Sequence, residues 1–460
     1  EIAAGGVKEG DFTMVLGYPG STTRYLYSAE VRSMLESSLP LTIGLRTTRL
    51  DIMEKYMKES DVVRIQYASK FRGVSNAWKK WQGIILGLTR NHAVEQKLKE
   101  EEQFRAWVDA DWKRQLKYDE VLDRFEALYR ERRQYETAMD MMNEAVMSVE
   151  LFRQASRISR LMSRATDVEQ LRNQTAGFFK NYYDPIDRET FAAMMEAYYH
   201  EMPSNFHPAM FRKVLNTYQG DFEKFTDAVY SKSLFNDEEK MAKLFAQYSK
   251  NSASALEKVE KDPILVYLDQ FTELYRIHII PEYDRIEREL QSNYFTYMAA
   301  LLEKESDHLL YPDANFTMRL TYGKVDGYMP RDGVEYEYQT TLSGVMDKGK
   351  EGFEDYAIPD KLRDLYEAGD FGKYGVDGTM PVCFIASNHT SGGNSGSPVM
   401  DADGRLIGIN FDRNWEGTMS DVLYDPDLCR NIAVDIRYIL FLIDKFAGAG
   451  YLLDEMDIVW

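Results

Sequence analysis

At 460 residues the chain is too long for one ordinary core, and its length calls for two or three domains. An apolar share of 44% and an aromatic share of 13% supply a packed interior, while no apolar run approaches the roughly 20 residues that cross a bilayer. A formal net charge of −19 argues against nucleic acid or anionic lipid as the main partner, and it repels acidic peptides unless a local cation reverses the field. Cys383 and Cys429 make neither a metal-binding pattern nor a disulfide scaffold. One bridge and two buried thiols stay equally open, because spacing does not give their separation.

The chain opens at Glu1 with a strand-like segment within a dozen residues, which reads as a start partway through a longer protein. Residues 11–22, "DFTMVLGYPGST", form a short apolar strand that runs into a Gly/Pro turn. From about Arg24 to Leu310 the texture is helical, with no Gly or Pro between Leu88 and Ala176 and no Gly between Gly220 and Gly323. In "EVLDRFEALYRERRQYETAMDMMNEAVMSVELF" apolar residues recur at three- and four-residue spacing between charges, the stripe of bundled amphipathic helices. Pro185, Pro203, Pro208 and Pro281 mark breaks between helices, since proline removes a helix hydrogen bond and clashes with the preceding turn.

After Tyr311-Pro312 the runs become short and β-prone: "FTMRLTYGKVDGYMP", "VEYEYQTTLSG", "MPVCFIAS" and "GRLIGINF", separated by Gly, Asp and Asn turns. "DIRYILFLIDKFAG" closes the chain as a strand followed by a helix. The pattern predicts an α+β protein in which a β domain is interrupted by a helical insertion. Its boundaries are 1–23 for the start of a barrel, 24–312 for the helical insertion and 313–460 for the rest of the barrel.

"SGGNSGSPVM", residues 391–400, lies between two predicted strands. A serine hydroxyl is a weak nucleophile that has to be held exposed beside a base, and flanking glycines clear room for a scissile carbonyl. In such a loop Ser395 attacks while the backbone N–H groups of Gly393 and Ser395 face the developing oxyanion. A bare Gly/Ser turn is the alternative. The strand "GRLIGINF" beyond it resembles the strand that walls the primary specificity pocket of chymotrypsin-like proteases, and "MVLGYPGST" with "LTYGKVDGY" resembles two paired strands of such a barrel.

Six histidines are present: His92, His200, His207, His278, His308 and His389. The first five fall in or near the helical stretch and read as capping or partly buried imidazoles. His389 sits only six residues before Ser395 and reads as a loop residue. No base for Ser395 is therefore expected within these residues. Beyond the wall strand, Arg413 would set a cation where the P1 side chain enters, favouring Asp or Glu. A surface arginine at a strand end is the plain alternative. Asp412 either holds a substrate's α-amino group, making an exopeptidase, or is an exposed turn aspartate.

"SNHTSGGNSGSPVMDADGRLIGINFDRNWEGTMSD" and "YASKFRGVSNAWKKWQG" resemble the bacterial dipeptidyl-peptidase 7 and 11 family of serine exopeptidases, over essentially the whole chain. The resemblance implies the second barrel of a chymotrypsin-like fold, without most of the first, interrupted by a helical cap domain. It carries over Ser395 as nucleophile, Gly393 as oxyanion donor, and Asp412 with Asn76 as holders of the substrate's N-terminal amine. Arg413 implies the Asp/Glu-specific branch of the family, where the branch with hydrophobic P1 has glycine. The family also implies a periplasmic or outer-membrane-associated homodimer that needs no metal or cofactor.

The match starts after the family's His and Asp, so both are expected on a segment outside these 460 residues. The leading expectation is a serine dipeptidyl-peptidase acting on oligopeptides with a free N-terminus and acidic P1. The alternatives are a relative with hydrophobic P1, a helical scaffold bearing an incomplete protease domain, and a trypsin-like endopeptidase.

Overall fold

The chain divides into two units, Glu1–Leu26, Gly83–Ala93 and Leu309–Trp460 in one, Tyr27–Gln82 and Val94–His308 in the other. The computed structural model describes residues 1–350 and 356–460. Helix predominates, and the main sheet is largely antiparallel, so the class is α+β.

In the helical unit the striped segment forms helices Val121–Glu144 and Glu150–Ser163, joined by a single 3-10 turn at Val146–Ser148. The first buries Val121, Leu122, Phe125, Leu128 and Tyr129, three and four residues apart, which is the face that the periodicity predicts. The larger core gathers Phe152, Phe191, Phe225, Tyr230 and Phe271, all fully buried. Burial of each such ring stabilises the unit by about 1.5–3 kcal/mol. A second cluster packs Tyr27, Phe104, Phe125 and Tyr297.

Acidic and amide side chains start many of these helices. Asp111, Asp167, Asp221, Asp237, Asn251 and Asp262 each accept from backbone N–H groups of the first turn. Val149 precedes Glu150–Ser163 and has no side-chain oxygen with which to cap it. Asp187, from helix Asp184–Glu201, supplies the missing acceptor, taking the Glu150 N–H at 2.5 Å, the Leu151 N–H at 3.1 Å and the Tyr230 hydroxyl at 2.8 Å. Burial pushes the Asp187 carboxyl up to about 7 against the pull of these bonds. Pro185 sits in the first turn of its helix, as expected. Pro281 is different: the chain stays helical through it, and a five-residue π turn at Tyr275–Ile279 absorbs the misfit instead of a break.

Among the described residues the second unit holds eleven strands. They are β1 Ile2–Ala3, β2 Phe12–Gly17, β3 Arg319–Lys324, β4 Tyr328–Arg331, β5 Val334–Tyr336, β6 Gln339–Thr341, β7 Pro381–Ala386, β8 Ser397–Met400, β9 Leu406–Arg413, β10 Asn431–Asp435 and β11 Ile458–Val459. The main sheet runs β3-β2-β8-β9-β10-β7-β6, while β1 adds in parallel beside β11 and β9. β2 and β3 are antiparallel neighbours, with Met14 opposite Tyr322, although the whole helical segment separates them in sequence. A bridge from Val325 to Ala386 and the bond from Ser387 N–H to the Lys324 carbonyl bring the end of β3 back to β7, so the sheet curls on itself.

The alternation along the strands sends Val15, Val399, Ile407, Ala433 and Phe384 into one cluster with Val325. Helix Asp61–Arg90 contributes its last eight residues, from Gly83, to this unit. Gly83 and Gly87 face Thr418 and Met419, where a Cβ would come within 2.3 Å of Thr418 Oγ1 and 2.6 Å of Met419 Sδ. Cys383 and Cys429 are free thiols, and burial raises the Cys429 thiol to about 11. No helix among the described residues is long and apolar enough to cross a membrane.

Candidate active site

The loop Ser391–Gly396 enters β8 and is shaped by asparagine. Asn394 Oδ1 accepts the Ser391 N–H at 3.0 Å, and its carbonyl accepts Asn410 Nδ2 at 3.1 Å. Asn410 returns its own carbonyl to the Gly396 N–H at 2.8 Å, and its Oδ1 accepts Asn431 Nδ2 at 3.0 Å. All three asparagines are buried, so the loop hangs on a polar ladder reaching from β8 through β9 to β10. The turn after β2 straps the other side, with the Gly20 N–H on the Gly392 carbonyl at 2.6 Å.

That strap explains Gly393. Its φ is +107°, and a Cβ there would stand 2.4 Å from the Tyr18 carbonyl oxygen and 2.9 Å from Gly20 N. Only glycine fits. Ser395 is exposed, and its hydroxyl donates to the Phe411 carbonyl of β9 at 3.1 Å. Within the loop, the N–H groups of Asn394, Gly396 and Ser397 are bonded to the protein. Among the described residues, no acceptor takes the N–H of Gly393 or of Ser395, and both residues are open to solvent. Two free donors beside an exposed hydroxyl can stabilise an oxyanion formed on that hydroxyl's target.

The end of β9 brings Asp412 and Arg413 to the same unit as this loop. Asp412 is exposed; its Oδ1 accepts the Arg413 N–H at 2.9 Å, which leaves Oδ2 to meet an incoming cation. Arg413 is deeply set, with 12% of its side chain exposed, and it is not alone. Nη1 reaches Asp421 Oδ1 at 2.7 Å and Ser420 Oγ at 2.8 Å, while Nη2 reaches Asp421 Oδ2 at 2.8 Å. Asp421 is held in turn by its own carbonyl, which accepts the Thr23 N–H at 2.7 Å.

His389 completes the surroundings. Its Nε2 lies 2.9 Å from the Ser420 carbonyl and its Nδ1 3.1 Å from Arg24 Nη2, so Nε2 carries the proton and Nδ1 accepts. The ring stacks on Tyr424 at 4.4 Å. Burial first, then the Arg24 charge, lowers this imidazole to about 4, so it is neutral at pH 7. It bonds away from Ser395, whose hydroxyl meets no histidine among the described residues.

Asn76 lies on the exposed side of helix Asp61–Arg90, in the helical unit. Sequence reading missed the Asn394–Asn410–Asn431 ladder and the Asp421 partner of Arg413. For Asp421 the available signal was an acidic residue closing the "EGTMSD" stretch after Arg413. Among the described residues, no group of three or more His, Cys, Asp or Glu side chains could hold a metal ion.

The chain matches the peptidase S46 family over residues 1–458. It is 39% identical to the Asp/Glu-specific dipeptidyl-peptidase of Flavobacterium psychrophilum, covering 100% of this chain and 64% of that one. It is 35% identical to dipeptidyl-peptidase 7 of Phocaeicola vulgatus, again over 100% of this chain and 64% of the relative. The crystal structure of Porphyromonas endodontalis DPP11 in complex with the dipeptide Arg-Glu superposes with a TM-score of 0.86 at 32% identity, over 99% of this chain and 65% of that one. The chain thus spans about 64% of the length of these curated relatives. With that coverage and identity along its whole length, the chain belongs to the peptidase S46 family.

Proposed function

We propose that this protein is a serine dipeptidyl-peptidase that releases N-terminal dipeptides with Asp or Glu at P1. The observation that carries the reading is the exposed Ser395 hydroxyl beside the two unengaged N–H groups of Gly393 and Ser395. Ser395 Oγ leaves the Phe411 carbonyl, gives its proton to a base and attacks the scissile carbonyl carbon. The tetrahedral oxyanion is met by the Gly393 and Ser395 N–H groups. Collapse expels the new amine, which takes the proton from the base, and water then hydrolyses the acyl-enzyme by the same steps. The base and its orienting carboxylate are proposed on residues outside these 460, because His389 serves Arg24 and Ser420 instead.

Asp412 Oδ2, with Asn76 from the helical unit, is proposed to hold the substrate's α-ammonium and so to fix the cut after two residues. Arg413 is proposed to receive the P1 carboxylate. The curled antiparallel sheet supports the chymotrypsin-like reading, and the interrupted β2–β3 pair supports a barrel with an inserted helical cap. A periplasmic homodimer that needs no cofactor remains part of this proposal.

The Arg413–Asp421 pair favours a second reading, in which the arginine is a structural ion pair and P1 is apolar. One kinetic series on the full-length protein separates the two. Arg413→Gly should move preference from Glu to Leu at P1, whereas an unchanged profile removes Arg413 from specificity.

A further inference from the structure

Arg413 has five N–H donors in a planar fork, and the structure accounts for three of them. Asp421 takes one hydrogen from each terminal nitrogen, end-on, at 2.7 and 2.8 Å. Ser420 Oγ takes the second hydrogen of Nη1 at 2.8 Å. What is left, among the described residues, is Nε–H and the remaining hydrogen of Nη2. These two lie parallel on one edge of the guanidinium, the side-on geometry that matches both oxygens of a second carboxylate.

The partners that fix this orientation are themselves fixed. Ser420 and Asp421 end a 3-10 turn, Glu416–Asp421, and both are buried. The Ser420 carbonyl is tied to His389 Nε2 at 2.9 Å, and the Asp421 carbonyl to the Thr23 N–H at 2.7 Å. An arginine side chain without such a brace samples many rotamers and loses that freedom when it binds. Here the ordering is already present. The charges of the pair offset each other, so selection of an acidic group rests on directed hydrogen bonds more than on bulk attraction.

We propose that Asp421 is a positioning residue for acidic P1: it grips the Nη1/Nη2 end of Arg413 so that the Nε/Nη2 edge is presented to the substrate carboxylate. This rests on the reading of Arg413 as the P1 cation. Asp421 does not touch substrate. Its own negative charge acts against an acidic P1, and that opposition gives the test its sign. If orientation dominates, removing the charge weakens recognition; if repulsion dominates, removing it strengthens recognition.

The experiment uses the full-length protein as wild type, Arg413→Gly, Asp421→Asn and the double variant. Each is assayed for kcat and KM on two dipeptidyl coumarylamides, one with Glu and one with Leu at P1. Asp421→Asn should lower kcat/KM for Glu by about 30-fold, or ~2 kcal/mol, chiefly through KM, and leave Leu hydrolysis within about twofold. In the Arg413→Gly background the same change should raise kcat/KM, because the buried Asp421 charge then lacks the guanidinium that offsets it. This reversal of sign belongs to a coupled pair. An Asp421→Asn enzyme with unchanged or improved Glu turnover overturns the inference while Arg413→Gly still shifts preference. Equal loss on both substrates with a lowered melting temperature makes Asp421 merely structural and also overturns it. An Arg413→Gly enzyme that keeps its Glu preference removes the underlying reading of Arg413 instead.

Discussion

Gly393→Ala puts the proposed oxyanion site to a direct test. At φ +107° an alanine bears roughly 1–2 kcal/mol of backbone strain even in open space. The space is not open: its Cβ would lie 2.4 Å from the Tyr18 carbonyl oxygen and 2.9 Å from Gly20 N, both backbone atoms. Neither can swing aside like a side chain, because the Gly20 N–H is bonded to Gly392 at 2.6 Å. Reaching an ordinary contact of about 3.4 Å with the carbonyl displaces the loop by about 1 Å. A misplacement of that size lowers catalysis by about 10²-fold, and loss of one oxyanion donor by about 10²–10³-fold. The expected result is therefore a fall in kcat of about 10²–10³-fold with KM little changed. The assay is steady-state hydrolysis of a Glu-P1 dipeptidyl coumarylamide by the full-length protein, with thermal unfolding as a folding control. A folded Gly393→Ala enzyme with kcat within about threefold of wild type would refute the argument.

Asp412→Asn should lower kcat/KM by about 30-fold or more on substrates with a free N-terminus. The wild type should refuse the N-acetylated form, and equal cleavage of free and blocked peptides would point to an endopeptidase. His389 gives a pH dependence of folding. Its imidazole titrates near 4 when folded and near 6.5 when unfolded, so the unfolded chain binds the extra proton between these values. The stability it provides is complete above pH 6.5 and is lost as pH falls towards 4, by about 2 kcal/mol between pH 7 and pH 5. Urea unfolding of wild type and His389→Gln at both pH values checks this, and equal losses in the two proteins would contradict it.

Much of this architecture is legible from residues alone, and the rest fails for identifiable reasons. "DFTMVLG" and "RLTYGK" alternate as strands, and their pairing across the helical stretch follows from treating that stretch as an insertion. The helical stripe is periodic and therefore readable. Pro281 misleads because its penalty is local, and a π turn absorbs it without ending the helix. Residues 83–93 read as helix like their neighbours, yet they join the strand-bearing unit. The clue is Gly83 and Gly87, four apart on one face, where Thr418 and Met419 approach too closely for any side chain.

At the proposed site, Ser395, Gly393, Asp412 and Arg413 stand out in sequence because their residue types suit the proposed chemistry. The ladder Asn394–Asn410–Asn431 does not, because it depends on strand register rather than on spacing. His389 shows the limit most plainly. It reads as a loop residue and lies in a loop, but its part-buried role as a brace between Arg24 and Ser420 depends on contacts that spacing does not show.

The central claim, that Ser395 carries the acyl group, is tested most directly by trapping it. The full-length protein is mixed with a Glu-P1 dipeptidyl ester, quenched in acid within milliseconds and digested for mass spectrometry. The account predicts a dipeptidyl adduct on the peptide that contains Ser395, and no adduct in Ser395→Ala. An adduct on another residue, or hydrolysis that persists in Ser395→Ala, would contradict it.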